Sequence, residues 1–237
     1  MIPKVIHYCW FGGKPLPLTA RKCIASWKKV CPDYEIVRWD ESNFDIRQHP
    51  FISSAYDAGA WAFVSDWARL KVVLDYGGIY LDTDVKLIKT LDGLLDNKCY
   101  IGVQQVGHLC TTGLGFGAVA SNQVVRKMLE QYDGIKFSNS NRSDLACPFL
   151  NNAVFQEMGF RYSSEIVRLA NGTTVYPCQY FDPLAPGTNS KNCLSADTVS
   201  IHCYANSWGA NMDQKKRKII NIIGLERINW IKDKLRG

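Results

Sequence analysis

Four charged side chains lie close together in the sequence, at spacings that could bring them to one site. Apolar residues recur at helical spacing over residues 64–76, which predicts a helix with Asp66 and Arg69 on one face. Asp82 and Asp84 follow a short apolar segment, and residues two apart on a strand point in the same direction. Carboxylate oxygens are the ligands that Mg²⁺ and Mn²⁺ prefer. The segment is therefore a candidate site for a divalent cation that carries a diphosphate.

The elements around these residues favour their convergence. Gly77 and Gly78 end the helix, since glycine accepts the positive φ that a helix terminus often requires. Residues 79–81 predict a short buried strand, and open α/β sheets bind their ligands beyond the ends of such strands. An Asp-X-Asp triplet alone is common in turns. The helix, the glycine pair and the strand before this triplet favour a binding site over an ordinary turn.

The whole segment resembles the signature of the sugar-binding DXD glycosyltransferases, family 32, which are similar to the glucosyltransferase domains of the large clostridial toxins. The family pattern is Ser-Asp-x-x-Arg, followed by Tyr-Gly-Gly-x-Tyr-x-Asp-x-Asp. The resemblance implies a glycosyltransferase A fold, which is α/β and Rossmann-like with a mostly parallel central sheet. The matching residues are Ser65, Asp66, Arg69, Tyr76, Gly77, Gly78, Tyr80, Asp82 and Asp84.

The same resemblance implies a role for each charged residue. Asp84 would bind the metal directly, and Asp82 would bridge the metal and the ribose. Asp66 and Arg69 would hold the hydroxyls of the donor sugar, and Tyr80 would line the same donor site. The implied cofactors are Mn²⁺ or Mg²⁺ and a sugar nucleotide, with a UDP-sugar favoured. Retention of the anomeric configuration is implied as well, by front-face attack of the acceptor hydroxyl.

The N-terminal residues resemble the opening strand and loop of this family. By that resemblance Trp10 would stack on the donor base, and the backbone of Tyr8, Cys9 and Trp10 would hydrogen-bond the edge of the base. An aromatic face is a good platform for a base. His7 is more simply a structural histidine of the strand, because a lone histidine is usually hydrogen-bonded in the core or at its rim.

A third segment, residues 201–208, is similar to the closing His-x-x-x-x-Ser-Trp of the family. By this resemblance His202 would complete the metal site, and neutral imidazole suits Mn²⁺. Ser207 and Trp208 would contact the diphosphate or the metal. Cys203 stands where many relatives have a second histidine, so the ligand set departs from the family form at this point.

Two further segments fall where the family has its sugar and acceptor contacts. Residues 111–118 are rich in glycine, and such segments are also simply flexible loops. Asn151 and Asn152 are candidate acceptor contacts, because an amide offers both a donor and an acceptor to sugar hydroxyls.

The remaining pattern predicts one α/β domain over residues 1–213. A strand, a helix and a second strand in succession begin a parallel sheet of Rossmann type. Residues 43–59 are polar and predict an irregular segment. The predicted strands are 3–9, 34–39, 100–104 and 198–203, and the predicted helices besides 64–76 are 19–30, 122–132 and 151–159.

The net charge of +6 lies in the C-terminal segment, since residues 214–237 hold eight Lys or Arg against two acids and the remaining chain balances at 20 against 20. A neutral body argues against nucleic acid as a partner. The segment predicts a basic amphipathic helix, which either lies on an anionic membrane face or packs its isoleucines on the domain. In the first case the protein would be peripheral at the inner face of the cell membrane, where a lipid-linked acceptor is found.

The nine cysteines include no Cys-x-x-Cys pair, so they indicate neither a disulfide framework nor a zinc site. They predict reduced thiols in a cytoplasmic protein. The N-terminus lacks the pattern of a signal peptide, and no apolar run has the length of a membrane span.

These observations predict a retaining, metal-dependent glycosyltransferase. It would move a hexose or N-acetylhexosamine to a carbohydrate or lipid-linked oligosaccharide acceptor in capsule, O-antigen or exopolysaccharide synthesis. A glycoside hydrolase would hold its two carboxylates on separate sides of the sugar. A non-catalytic sugar-nucleotide-binding module would not require a metal clamp. A toxin-like protein glycosyltransferase would be expected to carry a delivery segment.

Overall fold

A computed structural model gives the structure of the chain and describes residues 1–142, 144–187 and 189–205. Residues 1–203 form one compact unit, and a second unit begins at Tyr204. Residues 206–237 lie outside the described residues. The predicted domain boundary after residue 213 and the basic helix at 214–237 therefore remain predictions.

Strands and helices alternate through the first half of the compact unit. The nine strands of the described residues are β1 (Val5–Cys9), β2 (Glu35–Trp39), β3 (Gly78–Tyr80), β4 (Val85–Leu87), β5 (Cys99–Val103), β6 (Cys110–Ala118), β7 (Val167–Arg168), β8 (Thr173–Tyr176) and β9 (Ser200–His202). The six α-helices of the same residues are α1 (Leu18–Val30), α2 (Pro50–Asp57), α3 (Trp61–Tyr76), α4 (Gln123–Glu130), α5 (Cys147–Glu157) and α6 (Cys178–Phe181). A 3₁₀ turn covers Asp92–Leu94.

Seven of the strands form one mixed sheet in the order β2-β1-β3-β6-β5-β8-β7. β1 pairs in parallel with both β2 and β3, and β5 pairs in parallel with β8. β6 runs antiparallel to β3 and β5, and β7 runs antiparallel to β8. Five of the seven strands therefore point in one direction, which confirms a mostly parallel sheet. β4 and β9 form a separate antiparallel pair.

The first β-α-β unit follows the sequence prediction closely. β1, α1 and β2 occupy the predicted places, and the parallel register joins Val5 to Glu35 and Cys9 to Trp39. α1 buries Cys23 and Trp27, and the Trp27 indole Nε1 donates a hydrogen bond of 2.7 Å to the carbonyl of Val85. This bond ties α1 to β4, directly after the acidic residues of the candidate site.

The segment at residues 111–118 is a strand, and the alternative of a flexible loop is wrong. All nine residues of β6 are buried in the middle of the sheet. Glycine is required there because neighbouring side chains fill the space of a Cβ. A methyl group on Gly117 would stand 2.7 Å from the Tyr100 ring and 3.2 Å from the carbonyl oxygen of Gly78.

The prediction of an irregular segment at residues 43–59 is also wrong, because α2 occupies Pro50–Asp57. His49 caps this helix, since its Nδ1 accepts a hydrogen bond of 3.2 Å from the Phe51 amide. Pro50 suits the first turn, where no amide donor is needed. Phe51 and Ile52 are fully buried, so packing stabilises a short helix with few sequence signals.

The state of the cysteines agrees with the prediction of reduced thiols. Each of the nine cysteines is a free thiol, and seven of them are buried. Among the residues that the structure describes, no helix combines the length and the apolar composition of a membrane span.

We expect Gly117→Ala to lower the free energy of unfolding by about 1–3 kcal/mol, because the added methyl group overpacks the junction of β3, β6 and β5. Urea denaturation monitored by circular dichroism measures this loss. Gly93→Ala is the matched control: no atom lies within 4 Å of its added Cβ, so the change should stay within about 0.5 kcal/mol. Equal stability of the two variants would contradict the packing argument.

Candidate active site

The two aspartates of the Asp-X-Asp triplet lie in a turn rather than on a strand. β3 ends at Tyr80, and the Val85 amide donates a hydrogen bond of 2.9 Å to the carbonyl of Asp82. The expectation that Asp82 and Asp84 point the same way because they alternate along a strand is therefore wrong in its geometry. The turn connects β3 to β4 and places both aspartates directly after the carboxyl end of β3.

A histidine from the far end of the described chain completes this cluster. β9 pairs with β4 so that His202 lies opposite Val85, and the Cys203 amide donates a hydrogen bond of 2.8 Å to the carbonyl of Asp84. His202 Nε2 is 3.2 Å from Asp84 Oδ1. One ligand atom from each of Asp82, Asp84 and His202 lies within 4.8 Å of the others.

This donor set fits a divalent cation. Two carboxylate oxygens and one imidazole nitrogen converge, and all three residues are partly buried. Oxygen ligands suit Mg²⁺ and Mn²⁺, and the added imidazole favours Mn²⁺. The structure thus brings together the three residues that the sequence predicted as metal ligands.

The cluster holds a proton when no cation is bound. Burial lowers the pKa of His202, but the charges of Asp84, Asp82 and Asp182 outweigh burial and raise this pKa to about 9. At neutral pH the imidazole is therefore an imidazolium ion paired with Asp84. A cation that binds through His202 must displace this proton.

Asp82 also belongs to a second group of side chains, the Arg69 hub, which consists of Arg69, Asp66, Asp82 and Tyr80. Arg69 Nη2 lies 3.0 Å from Asp66 Oδ1 and 3.0 Å from Asp82 Oδ1, so two carboxylates share one guanidinium nitrogen. The guanidinium also stands over the Tyr80 ring, at 4.8 Å from its centroid. The Tyr80 hydroxyl donates a hydrogen bond of 3.0 Å to Asp82 Oδ1. The predicted pair on one face of α3 is confirmed, and it is linked directly to the acidic turn.

Burial dominates the electrostatics of this hub. The Arg69 side chain is only 4% exposed and that of Asp66 is 10% exposed. Burial raises the pKa of Asp66 to about 6, against the opposing effect of Arg69. Burial also raises the pKa of Asp82, again against Arg69. Desolvation disfavours charge on Arg69, yet Asp82, Tyr80 and Asp66 raise its pKa above the usual value, so the guanidinium remains charged.

β6 and α5 support this hub with residues that the sequence did not single out. Cys147, the first residue of α5, hydrogen-bonds the Asp66 carboxylate through its backbone and its thiol. Arg69 Nη1 donates to Thr112 Oγ1 at 3.4 Å. The sequence pattern marked the glycine-rich segment 111–118, which contains Thr112, but it did not mark Thr112 itself.

Asn151 and Asn152 lie inside the protein, against β6. Asn151 is fully buried, and its Nδ2 donates a hydrogen bond of 3.1 Å to Thr112 Oγ1. Asn152 Oδ1 accepts from the Cys110 amide at 3.2 Å. Asn151 Oδ1 is buried and has no hydrogen-bond partner among the described residues. Contact of either amide with an acceptor stays a prediction.

The residues expected at the nucleotide base follow β1, which lies beside β3. Tyr8, Cys9 and Trp10 are buried, and the Trp10 indole Nε1 donates a hydrogen bond of 2.5 Å to the carbonyl of Lys14. Burial raises the pKa of the Cys9 thiol to about 12, so this thiol stays protonated. Stacking of Trp10 on a base stays a prediction. Ser207 and Trp208 lie outside the described residues.

His7 has the structural role that was predicted for it. It is 2% exposed, its Nδ1 accepts a hydrogen bond of 3.1 Å from the Trp39 indole, and its Nε2 lies 2.8 Å from the carbonyl oxygen of Gly77. Nδ1 is the acceptor, so the proton is on Nε2, which donates to Gly77. Burial lowers the pKa of His7, in agreement with a neutral ring.

Residues 17–101 match the model of the glycosyltransferase sugar-binding region containing the DXD motif. Over this segment the chain is similar to the DXD-motif glycosyltransferases. It is 33% identical over 136 residues to inositol phosphoceramide mannosyltransferase 3 of Schizosaccharomyces pombe, which covers 54% of this chain and 37% of that protein. The chain thus spans little more than a third of the length of this curated relative. Uncharacterized glycosyltransferase L373 of Acanthamoeba polyphaga mimivirus is 24% identical over 236 residues, covering 90% of this chain and 86% of the relative.

Solved structures confirm the predicted glycosyltransferase A fold of the chain. PaToxG glycosyltransferase superposes with a TM-score of 0.51 at 21% identity, over 67% of this chain and 70% of that chain. A glycosyltransferase involved in the glycosylation of the major capsid of PBCV-1 also gives a TM-score of 0.51, at 12% identity, over 91% of this chain and 100% of that chain. At these identities the likeness concerns the fold alone.

Gly113→Ala should disable the cluster of Asp82, Asp84 and His202 without unfolding the protein. An added Cβ would stand 2.8 Å from Asp82 Oδ2 and 3.5 Å from Arg69 Nη1, so the Asp82 carboxylate must move. We expect Mn²⁺ affinity to fall by at least about tenfold, because displacement of about 1 Å is costly at such sites. Electron paramagnetic resonance of free Mn²⁺ measures this affinity, with Gly93→Ala as the control. Unchanged affinity in Gly113→Ala would mean that Asp82 does not bind the cation.

The raised pKa of His202 predicts that Mn²⁺ binding is coupled to proton release. Below pH 9 the cation competes with the imidazole proton, so we expect its apparent affinity to rise by about tenfold per pH unit between pH 6 and pH 8. Titration calorimetry in two buffers of different ionisation enthalpy counts the released protons. His202→Ala should bind more weakly and with a smaller pH dependence. Equal affinity of the native chain at pH 6 and pH 8 would contradict the proton competition.

Proposed function

We propose that the chain is a metal-dependent hexosyltransferase that takes a hexose or N-acetylhexosamine from a sugar nucleotide, with a UDP-sugar as the favoured donor. The observation that carries this proposal is the convergence of Asp82, Asp84 and His202 beside the buried ion pairs of Arg69. One carboxylate, Asp82, belongs to both groups. A diphosphate on the cation side and a sugar on the Arg69 side would therefore be held as one ligand.

The residues of the hub have distinct proposed tasks. Asp66 and Arg69 bind the donor sugar hydroxyls, because a buried carboxylate and a guanidinium offer an acceptor and donors that water does not reach. Tyr80 fixes Asp82 through its hydroxyl. The unpaired Asn151 Oδ1 supports a further contact with a hydroxyl, since a buried amide oxygen without a partner costs free energy.

A divalent cation held by Asp84, His202 and Asp82 would supply positive charge for the departing nucleoside diphosphate. The Arg69 side chain orients the sugar, and burial of the hub excludes water from it. Cys147, Thr112 and Asn151 keep the arginine and its carboxylates in place.

We further propose front-face attack with retention of configuration. Asp66 and Asp82 both lie 3.0 Å from Arg69 Nη2, and a carboxylate held by a guanidinium is a poor nucleophile. This pairing supports direct attack by the acceptor hydroxyl, with the leaving phosphate as the proton acceptor. A glycosylated carboxylate on the intact protein, detected by mass spectrometry, would contradict it.

The alternative of a glycoside hydrolase agrees less well with the geometry. Asp82 and Asp84 contribute ligand atoms to a cluster only 4.8 Å across, together with His202. Hydrolytic carboxylates act from separate positions about the scissile bond, roughly 5–9.5 Å apart. A cation clamp accounts for the histidine, whereas a hydrolase would not need it.

The acceptor is proposed to be a carbohydrate or a lipid-linked oligosaccharide, in synthesis of a capsule, an O-antigen or an exopolysaccharide. The name of the Schizosaccharomyces pombe relative, a mannosyltransferase of inositol phosphoceramide, supports a hexose donor and a lipid-bound acceptor. The eight basic residues of the segment 214–237 support a cytoplasmic protein with peripheral contact at the inner face of the membrane.

Thermal unfolding against a panel of UDP-, GDP-, ADP- and CMP-sugars, with and without Mn²⁺, tests the proposal. A ligand at 100 times its Kd stabilises the native state by about 2.7 kcal/mol, which raises Tm by roughly 5–10 °C for a chain of this size. We expect this shift with one nucleotide, only with Mn²⁺, and not in Asp84→Ala.

Asp96→Ala is the matched control for Asp84→Ala, because Asp96 is exposed and does not belong to the cation cluster. It should keep the full shift. A shift that is equal with and without Mn²⁺ would contradict the cation clamp. No shift with any nucleotide would contradict donor binding altogether and favour a chain that has lost its donor site.

A further inference from the structure

A cavity is lined by residues outside the site described above. It encloses about 410 Å³, which is within the range of roughly 300–1,000 Å³ that small-ligand pockets occupy. The residues used in the argument below are Gln105, His108, Tyr162, Cys178, Lys191 and Cys193, all of which line it. None of them belongs to the cation cluster or to the Arg69 hub.

Two stacked rings form part of the cavity wall. The rings of His108 and Tyr162 lie with centroids 3.8 Å apart and planes inclined by 16°. Tyr162 is 44% exposed, and His108 is exposed as well. Exposed aromatic surface in a concave site favours a ligand with an apolar face and polar edges.

The loop that carries His108 is held in a costly conformation. Gly107 and His108 have φ values of 81° and 53°, and His108 is one of three described residues other than glycine with a positive φ. Such conformations persist where surrounding contacts enforce them, and they concentrate at ligand sites. The loop connects β5 to β6 and is closed by a hydrogen bond of 2.9 Å from the Gln104 amide to the Leu109 carbonyl.

Gln105 anchors this loop to the rest of the protein. Its backbone amide donates a hydrogen bond of 2.8 Å to Asp182 Oδ2, and its side-chain Nε2 donates to the Lys191 carbonyl at 2.9 Å. The side chain of Gln105 is thus engaged within the protein. The loop of His108 is therefore braced, and the Tyr162 ring, from a separate segment, stacks on His108, so a ligand need not order the pair.

The charges of the cavity narrow the class of ligand. Among the described residues that line it, no residue carries a carboxylate, and Lys191 is the lysine or arginine present. The described lining thus offers no carboxylate to pair with a cationic ligand. A pyranose ring matches the lining, because its C–H face packs on an aromatic ring and its hydroxyls bond to the Lys191 ammonium group.

The backbone of α6 and β9 connects the cavity wall to the cation cluster. Cys178 begins α6, and the Val199 amide donates a hydrogen bond of 2.8 Å to the Tyr180 carbonyl of that helix. β9 starts at the next residue and ends at His202. One short helix and one short strand therefore join the wall of the cavity to the cation ligand.

We propose that this cavity binds the acceptor, as a neutral or anionic sugar residue that packs on the His108–Tyr162 ring pair. The inference rests on the proposed transferase function and deepens it. The buried Asn151 and Asn152 were the sequence candidates for acceptor contact. The cavity assigns this task to residues that no sequence motif marked.

Saturation-transfer NMR of the full chain with methyl glycosides of glucose, galactose, mannose and N-acetylglucosamine, and with their β-linked disaccharides, tests the proposal. We expect at least one sugar to show saturation transfer and its affinity to fall by about three- to tenfold in Tyr162→Ala. His108→Asn should lose affinity similarly, while it keeps a residue that tolerates the positive φ.

Tyr76→Ala is the matched control, because Tyr76 is also an exposed tyrosine, 60% exposed and stacked on Trp39. Its sugar binding should equal that of the native chain. Absence of saturation transfer from every sugar, or equal affinity in Tyr162→Ala, His108→Asn and the native chain, would overturn the proposal.

Failure of the donor proposal has a different signature. It would remove the Mn²⁺-dependent thermal shift with nucleotides from the native chain, whatever residue stands at position 162. Failure of the acceptor proposal would leave that shift intact and remove only the dependence of sugar binding on the ring pair.

Discussion

The guanidinium of Arg69 is a buried charge, and the arrangement of the site follows from the need to compensate it. An isolated charge at such depth costs several kcal/mol, and two carboxylates at 3.0 Å together with the Tyr80 ring offset that cost. Asp82 is held by this pairing and cannot turn freely. Because Asp82 also belongs to the candidate cation cluster, the position of the cluster relative to the Arg69 hub is fixed by one ion pair.

The sheet provides the room for this charge. β6 crosses the middle of the sheet between β3 and β5, with every residue buried. A side chain at Gly113 would occupy the space of the Asp82 carboxylate, and one at Gly117 would occupy that of the Tyr100 ring. The glycines of this strand therefore let an ion pair and a large ring approach the backbone. The site is therefore supported by β6, which pairs with a strand on each side.

Much of the fold and the acidic motif could be predicted from the sequence because their signals are local. The pairing of Asp66 with Arg69 follows from helical spacing, and β1, α1 and β2 follow from periodicity. α2 could not be predicted, because an unusual histidine cap and tertiary packing stabilise it.

The wrong predictions near the site also arose because contacts between residues remote in sequence decide the local structure. β6 gave the pattern of a loop, because the space that its glycines leave is filled by residues remote in sequence. The convergence of the two aspartates was predicted correctly, although a turn rather than strand alternation produces it. The ring pair of His108 and Tyr162 had no sequence signal, since its members lie on separate loops.

The short ladder between β4 and β9 has a consequence for biosynthesis. It joins only three residue pairs, Val85 to His202, Lys86 to Ile201 and Leu87 to Ser200. The acidic turn is translated long before the imidazole, so a nascent chain that has already formed the β1-α1-β2 unit still lacks one of the three proposed ligands. A cation site that uses all three side chains would be complete only after β9 has emerged from the ribosome and paired with β4.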